Sequence, residues 1–314
     1  MVARRGERLR DFLLKTYFSG QVSLAADLRT FEADLDRQLD GKVYSEITPR
    51  IRENWCAVAE QWQRAQGNVA AAALLADLIA RAPERLSQFP VPQSILPHFI
   101  HEFSRILEEL EARPDAARGF EDDVFLKDLG ICRLEVYPCV AQVVDKNSGL
   151  SRAVVASQFL RAPAKLITLG LRTRLAYRPF LEIHTHTPML AGFTPEGWDA
   201  CYVLVADLLK ACPGYVGLVG GSWFYDPELD HVSPRLSYLR ERPVDGGAFL
   251  LRVGPSAIDI ANATATSESR RKLYESGKYQ PAKWLMVWPR GRLLKWVEVN
   301  RERISQTRVV ARNR

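Results

Sequence analysis

Three ionisable side chains alternate along one short segment near the middle of the chain. In the stretch Leu181 to Thr187, Glu182, His184 and His186 occupy every second position. Because the side chains of a β-strand point alternately to its two faces, this spacing predicts that the carboxylate and both imidazoles share one strand face. A carboxylate or a neutral imidazole on such a face can accept a proton from a substrate as a general base.

The residues that follow predict a helix and then a second strand. Thr194, Pro195 and Glu196 combine a hydroxyl cap, a proline at the first helical position and an acid in the first turn, and Pro213-Gly214 ends the helix. Tyr215 to Val219 then predicts a strand. The segment from Phe180 to Asp226 is therefore predicted to be a βαβ unit.

A glycine-rich turn leaves the second strand of this unit. Gly220, Gly221 and Ser222 come directly after Val219, and Asp226 follows four residues later. Ligand sites in open α/β sheets lie outside the carboxyl ends of the strands, so we expect this turn to lie beside the two histidines. Backbone N–H groups of the turn can bind a phosphate or an oxyanion.

The two histidines also allow a metal site. Alternate positions on a strand are about 6.6 Å apart, close enough for two imidazoles to share one zinc or iron ion. Asp226, Asp230 or His231 is the candidate third ligand, and Asp226 is the one we select. The letters HTHT and GFTPEGW resemble the opening motif of metal phosphoesterases of the polymerase-and-histidinol-phosphatase type. That family needs several further histidines, and only His231 follows His186, so the resemblance is limited to a mononuclear site.

A second candidate segment is Thr266 to Pro281, TSESRRKLYESGKYQP. It predicts a helix that is capped by Thr266 or Ser267, closed by Gly277 and followed by an aromatic strand. The segment resembles the late helix-turn-strand of Gcn5-related N-acyltransferases, which contains an LYE sequence followed by Gly-Phe. The resemblance implies that Tyr274 protonates a leaving thiolate as general acid.

The same resemblance implies that Glu182, on the preceding central strand, acts as general base, directly or through water. His184, on the same predicted strand face, is our alternative for this role. Two features depart from the family pattern. Gly277-Lys278-Tyr279 stands where the family has Gly-Phe, and the pyrophosphate-binding loop with its x-x-G-x-G or x-x-G-x-A sequence has no match. Gly220, Gly221 and Ser222 are the remaining candidates for binding the acyl carrier.

Composition excludes several classes of protein. The chain has 314 residues and a formal charge of +6, but residues 1 to 10 carry +3 and residues 301 to 314 carry +4. The remaining residues therefore sum to −1, which does not suit a nucleic-acid groove. No apolar run approaches the roughly 18 residues of a membrane span, and the first 30 residues lack a secretory apolar core, so we expect a cytoplasmic protein. The five cysteines include no C-x-x-C pair and are predicted to be reduced.

The period of the apolar residues changes near residue 120. Residues 1 to about 112 have helical periodicity, and residues 113 to 123 are polar with proline and glycine. We therefore predict an all-helical domain over residues 1–120 and a mixed-sheet α/β domain, similar to an acyltransferase, over residues 121–314. Within the second domain we predict a hairpin with strands at 131–144 and 152–156, strands at 248–253, 258–261 and 283–288, and helices at 159–171, 234–242, 268–276 and 292–304.

The leading hypothesis is an enzyme that transfers an acyl group from a thioester to a small amine or hydroxyl. Acyl-CoA or an acyl carrier protein would supply the thioester, and no tightly bound cofactor is expected. The second hypothesis is a mononuclear zinc or iron enzyme that uses His184, His186 and Asp226. The third is a non-enzymatic protein whose helical half binds a partner chain.

Overall fold

A computed structural model gives the structure of residues 1–17, 24–39, 42–47, 49–51, 53–55, 67–88, 91–114, 119–173 and 179–312. The chain divides into two compact units, Met1–Pro138 and Cys139–Arg314. The boundary predicted near residue 120 lies within the first unit, just before its last helix. The described helices include none that is both long and apolar enough to cross a membrane.

The first unit is helical, as predicted. Its helices are α1 (Val2–Tyr17), α2 (Leu24–Leu39), α3 (Gly67–Gln88), α4 (Leu96–Ala112) and α5 (Asp123–Cys132). Helix α3 is buried on all sides from Val69 to Ala80, so it forms the centre of the unit, and α1 packs against it. Ile51 and Trp55, which lie between α2 and α3 in the chain, are also buried.

The second unit contains most of a mixed sheet, so the predicted α+β fold class is confirmed. The strands are β1 (Val136–Cys139), β2 (Gln142–Ser148), β3 (Phe180–His184), β4 (Gly217–Ser222), β5 (Phe249–Gly254) and β6 (Lys283–Pro289). Their order is β1-β2-β3-β4-β6-β5, and β2 to β6 belong to the second unit. Strands β3 and β4 are parallel, whereas β2–β3, β4–β6 and β5–β6 are antiparallel pairs.

Helices lie on both faces of this sheet. The described helices of the second unit are α6 (Arg152–Arg161), α7 (Pro163–Thr173), α8 (Pro195–Ala211), α9 (Leu229–Val232), α10 (Tyr238–Asp245), α11 (Ala257–Ala265), α12 (Glu268–Glu275) and α13 (Arg290–Arg312). Helix α8 joins β3 to β4, which confirms the predicted βαβ unit. Tyr202 of α8 meets the rings of Trp288 and Trp296 with centroids 5.0 and 5.9 Å away, and α13 packs beside α8 on that face. On the other face, Leu169 of α7 joins a buried cluster of Phe180, Val219, Leu251 and Val287.

Two predicted strands are helices. Residues 152–156 begin α6, where the Ser151 hydroxyl accepts a hydrogen bond from the Val154 N–H at 3.2 Å. Residues 258–261 belong to α11, where the Ser256 hydroxyl accepts a hydrogen bond from the Asp259 N–H at 3.1 Å. In both cases an N-cap serine outweighs a short apolar run, because it satisfies an N–H that the first helical turn leaves unpaired. The hairpin of β1 and β2 turns at Val140, which has a positive φ of 61°, instead of at residues 145–149.

Candidate active site

The two parallel strands separate at their carboxyl ends. Strand β3 pairs with β4 at Leu181–Leu218 and Glu182–Val219. Beyond these pairs β3 continues beside β2 as far as His184, and β4 continues beside β6 as far as Ser222. In the described register, the facing edges of β3 and β4 therefore have no strand partner past Glu182 and Val219. Unpaired strand edges are places where an extended ligand can add to a sheet.

Glu182 lies at the point where the two strands separate. Its side chain is on the same sheet face as Phe180 and Val219. Both of these residues belong to the buried apolar cluster, so Glu182 lies at the edge of that cluster. The Ser148 hydroxyl, at the end of β2, donates a hydrogen bond to Glu182 Oε2. His184 Nε2 lies 3.7 Å from the same oxygen, and the two side chains are 21% and 23% exposed. The predicted pairing of a carboxylate and an imidazole on one face is therefore observed.

The surroundings of Glu182 favour its protonated form more than water does. Burial raises the pKa of Glu182, and the Ser148 hydrogen bond and the positive charge of Lys283 only partly oppose this. A partly exposed carboxylate with a raised pKa is a suitable general base near neutral pH, because it binds a proton more strongly than an ordinary glutamate.

Lys283 reaches this face from the start of β6. A Cβ atom added to Gly221 would lie 2.7 Å from Lys283 Cε and 3.3 Å from its Nζ. The glycine therefore gives the lysine side chain the room to lie across β4. The sequence prediction included Gly221 but neither Lys283 nor Ser148, because strand pairing brings these two residues to Glu182 from distant parts of the chain.

The glycine-rich segment after Val219 is a strand and not a turn. Gly220, Gly221 and Ser222 pair with Met286, Leu285 and Trp284 of β6. In an antiparallel pair, alternate backbone groups point away from the partner strand, so part of this segment points towards the opening beside β3. The Ser222 hydroxyl accepts a hydrogen bond from the Phe224 N–H at 3.2 Å and caps a short 3₁₀ turn, Trp223–Tyr225.

Asp226 connects this 3₁₀ turn to β6. Its Oδ1 accepts a hydrogen bond from the Glu228 N–H at 3.1 Å, and its Oδ2 accepts one from the Ala282 N–H at 3.2 Å. Asp226 is buried, and burial raises its pKa although both hydrogen bonds act in the opposite direction. The Asp226 carboxylate therefore has a structural role, because its two oxygens bind backbone N–H groups of two separate segments.

The three residues of the predicted metal site do not converge. Strand β3 was predicted to reach Thr187, but it ends at His184, and His186 is completely buried at the start of a 3₁₀ helix, Thr187–Gly192. Within the described residues, His184, His186 and Asp226 form no group whose ligand atoms all lie within 4.8 Å of one another. The side chains present therefore do not fit a mononuclear ion without rearrangement.

Tyr274 lies near the end of α12, the helix predicted at residues 268–276. Ser267 caps this helix, accepting a hydrogen bond from Arg270, and Gly277 follows with a positive φ of 70°, as the capping pattern predicts. The Tyr274 side chain is half-buried. No hydrogen bond joins Tyr274 to Glu182 in the described part of the chain.

Comparisons with known proteins found two solved structures that are similar to this chain. Both are crystal structures of an acyltransferase, one in complex with decanoyl-CoA and teicoplanin and the other with CoA and 10C-teicoplanin. Each is 11% identical to this chain, covers 71% of it and 67% of the solved chain, and has a TM-score of 0.46. No family model and no curated protein matches the chain.

Proposed function

We propose that the chain is an acyltransferase-like enzyme that moves an acyl group from a thioester to a small amine or hydroxyl. The observation that carries this proposal is the position of Glu182, a partly exposed carboxylate with a raised pKa at the opening between β3 and β4. Acyl transfer needs a base that removes a proton from the acceptor, and it needs donors for the oxyanion that forms at the carbonyl.

The opening suits the carrier arm of a thioester. The pantetheine arm of CoA and of acyl carrier proteins contains two amide groups. An extended chain with amide groups can bind along an unpaired strand edge by the same hydrogen bonds that join strands. Gly220, Gly221 and Ser222 would then hold the arm on one side, which would bring the thioester carbonyl to the level of Glu182.

The proposed reaction proceeds in two steps. Glu182 takes the proton of the acceptor, and the acceptor nitrogen or oxygen attacks the thioester carbonyl to give a tetrahedral intermediate. Backbone N–H groups near Gly221 stabilise the oxyanion of this intermediate. The C–S bond then breaks, the acyl group stays on the acceptor, and Tyr274 gives its proton to the leaving thiolate.

His184 is the alternative base for the first step. Its Nε2 is 3.7 Å from Glu182 Oε2, so the imidazole can also receive a proton from the acceptor while the carboxylate stabilises the resulting imidazolium. The two assignments make different predictions. If His184 is the base, His184→Gln should reduce the rate of acyl transfer as much as a change at Glu182 does, and if Glu182 is the base it should not.

A binding and turnover experiment tests this function. Acyl-CoA of increasing chain length and an acyl carrier protein would be titrated by calorimetry, and free thiol would be measured with a panel of amines and alcohols. We expect saturable heat and acceptor-dependent thiol release that Glu182→Gln abolishes and the matched surface variant Glu298→Gln retains. Absence of heat with every thioester, or full activity of Glu182→Ala, contradicts the proposal and favours a non-enzymatic role.

A further inference from the structure

A second concave site lies in the C-terminal unit. It is a cavity of about 550 Å³ between α10, the Gly246-Gly247 turn and α13. Known small-molecule sites have volumes of about 300–1,000 Å³, so the cavity is large enough for a ligand. Four cationic side chains, one acid and one aromatic ring line it: Arg242, Arg292, Lys295, Arg303, Asp245 and Trp296.

Two of these cations are held in fixed positions by one buried carboxylate. Asp199 is 3% exposed, and its two oxygens accept hydrogen bonds from Arg242 Nε and Arg303 Nη1, each at 2.9 Å. One negative charge therefore serves two guanidinium groups, and a net positive charge remains at the wall of the cavity. Because both arginines are oriented in the folded chain, a ligand does not have to bear the entropic cost of ordering them.

The other two cations have no counterion within the described residues. No ion pair joins Arg292 or Lys295 to a carboxylate in that part of the chain. The alkyl stem of Arg292 packs over Gly247, where a Cβ atom would lie 3.3 Å from Arg292 Cδ, and the positive φ of 83° at Gly247 favours glycine at this position. The turn therefore directs Arg292 along the edge of the cavity, beside Lys295 on the next turn of α13.

Trp296 supplies an aromatic surface to the same cavity. Its ring meets Tyr202 and Trp288 at interplanar angles of 88° and 68°, so edge-to-face contacts fix its orientation. A fixed indole at the wall of a cationic cavity can stack on a planar ring of a ligand while guanidinium groups bind its anionic part.

We propose that this cavity binds a phosphate-bearing small molecule of nucleotide size, through Arg242, Arg292, Lys295 and Arg303, with its ring against Trp296. Neither Glu182 nor the opening between β3 and β4 takes part, so the proposal does not depend on acyl transfer. Guanidinium groups pair with phosphate through two parallel hydrogen bonds, and this explains why arginine predominates in the site.

Calorimetric titration of the full chain with pyrophosphate, ADP and adenosine tests the proposal. We expect saturable binding of ADP, weaker binding of pyrophosphate because it lacks the ring, and no measurable binding of the uncharged adenosine. Raising the salt concentration from 50 to about 500 mM should weaken ADP binding at least severalfold, because charge attraction at an open site is screened. Absence of saturable binding for both phosphates overturns the proposal.

Variants separate this site from general attraction to a basic protein. Arg292→Gln with Lys295→Gln removes two cations that make no described ion pair, so the fold should not change, and a thermal melt checks this. We expect ADP binding to weaken at least tenfold, whereas Arg271→Gln, an exposed arginine on α12, leaves it unchanged. ADP affinity within twofold of the wild type in the double variant overturns the proposal, as does tight binding of a polyglutamate peptide in the absence of ADP binding.

Discussion

Glu182 Oε2 lies 3.7 Å from His184 Nε2, and the two residues belong to the same strand face at the carboxyl end of β3. The strand geometry alone sets this proximity, because side chains two residues apart on a strand point the same way. Both side chains are partly exposed where β3 and β4 separate. The proposed acyl transfer depends on this pair and on the opening between β3 and β4 beside it.

Replacing Glu182 by glutamine tests its role as general base. The amide keeps the size of the side chain and can still accept the Ser148 hydrogen bond, but it cannot take a proton. General base catalysis contributes about 10²–10⁴-fold to the rate, so we expect kcat/KM for acyl transfer to fall by that factor. Thiol release with the best acceptor measures it, with Glu298→Gln as the control. A decrease of less than about threefold contradicts the assignment, because it is far below the contribution of a general base.

The same variant should change how stability depends on pH. The pKa of Glu182 is raised in the folded chain, so between about pH 4.3, the ordinary value, and the raised value the folded state binds more protons than the unfolded state. The contribution of Glu182 to stability therefore falls as pH rises through this window. We expect the melting temperature of Glu182→Gln relative to the wild type to increase from pH 4 to pH 8. A difference that is constant or decreases would show that the pKa is not raised.

Tyr274→Phe tests the general acid. Loss of the hydroxyl should reduce kcat for acyl transfer by roughly 10²-fold and change KM little, because the proton is needed only as the thiolate leaves. Tyr279→Phe is the matched control five residues away. The Tyr279 hydroxyl is buried and makes no hydrogen bond with the described residues, so its removal should preserve turnover. Equal losses in both variants would point to a structural effect of this segment.

Asp226→Ala tests the structural interpretation of this carboxylate. The substitution leaves the Glu228 and Ala282 N–H groups without an acceptor, and the Ala282 N–H is buried, where an unpaired group costs about 1–3 kcal/mol. We expect urea unfolding to show a loss of roughly 1–3 kcal/mol that added zinc does not change in either protein. Unchanged stability, together with metal content that falls from one equivalent to none, would instead support the metal hypothesis.

Local patterns in the sequence predicted the elements that have strong boundary signals. The cap at Thr194 and the stop at Pro213-Gly214 enclose helix α8, and the Thr194 hydroxyl does accept a hydrogen bond from the Gly197 N–H at 3.1 Å. Short apolar runs were predicted wrongly as strands where an N-cap serine precedes them, as in residues 152–156 after Ser151 and 258–261 after Ser256. Those runs have no periodicity long enough to separate a strand from a buried helix turn.

The candidate site was predictable only where its residues are close in sequence. Glu182 and His184 belong to one period-two pattern, which the sequence shows directly. Ser148 and Lys283 reach Glu182 through strand pairing, and a single sequence does not reveal the order or register of strands. The separation of β3 from β4 also has no local signature, because it depends on how each strand pairs at its outer edge.

Hydrogen–deuterium exchange of the wild-type chain with and without saturating acyl-CoA tests the central claim most directly. If the thioester arm binds along the opening, amide exchange should slow in peptides that cover residues 180–184 and 217–222, because the facing edges of these strands have no strand partner past Glu182 and Val219. Exchange on α2 (Leu24–Leu39), a helix of the first unit, serves as the comparison within the same experiment. Unchanged exchange in both strand segments at saturating acyl-CoA would contradict the account.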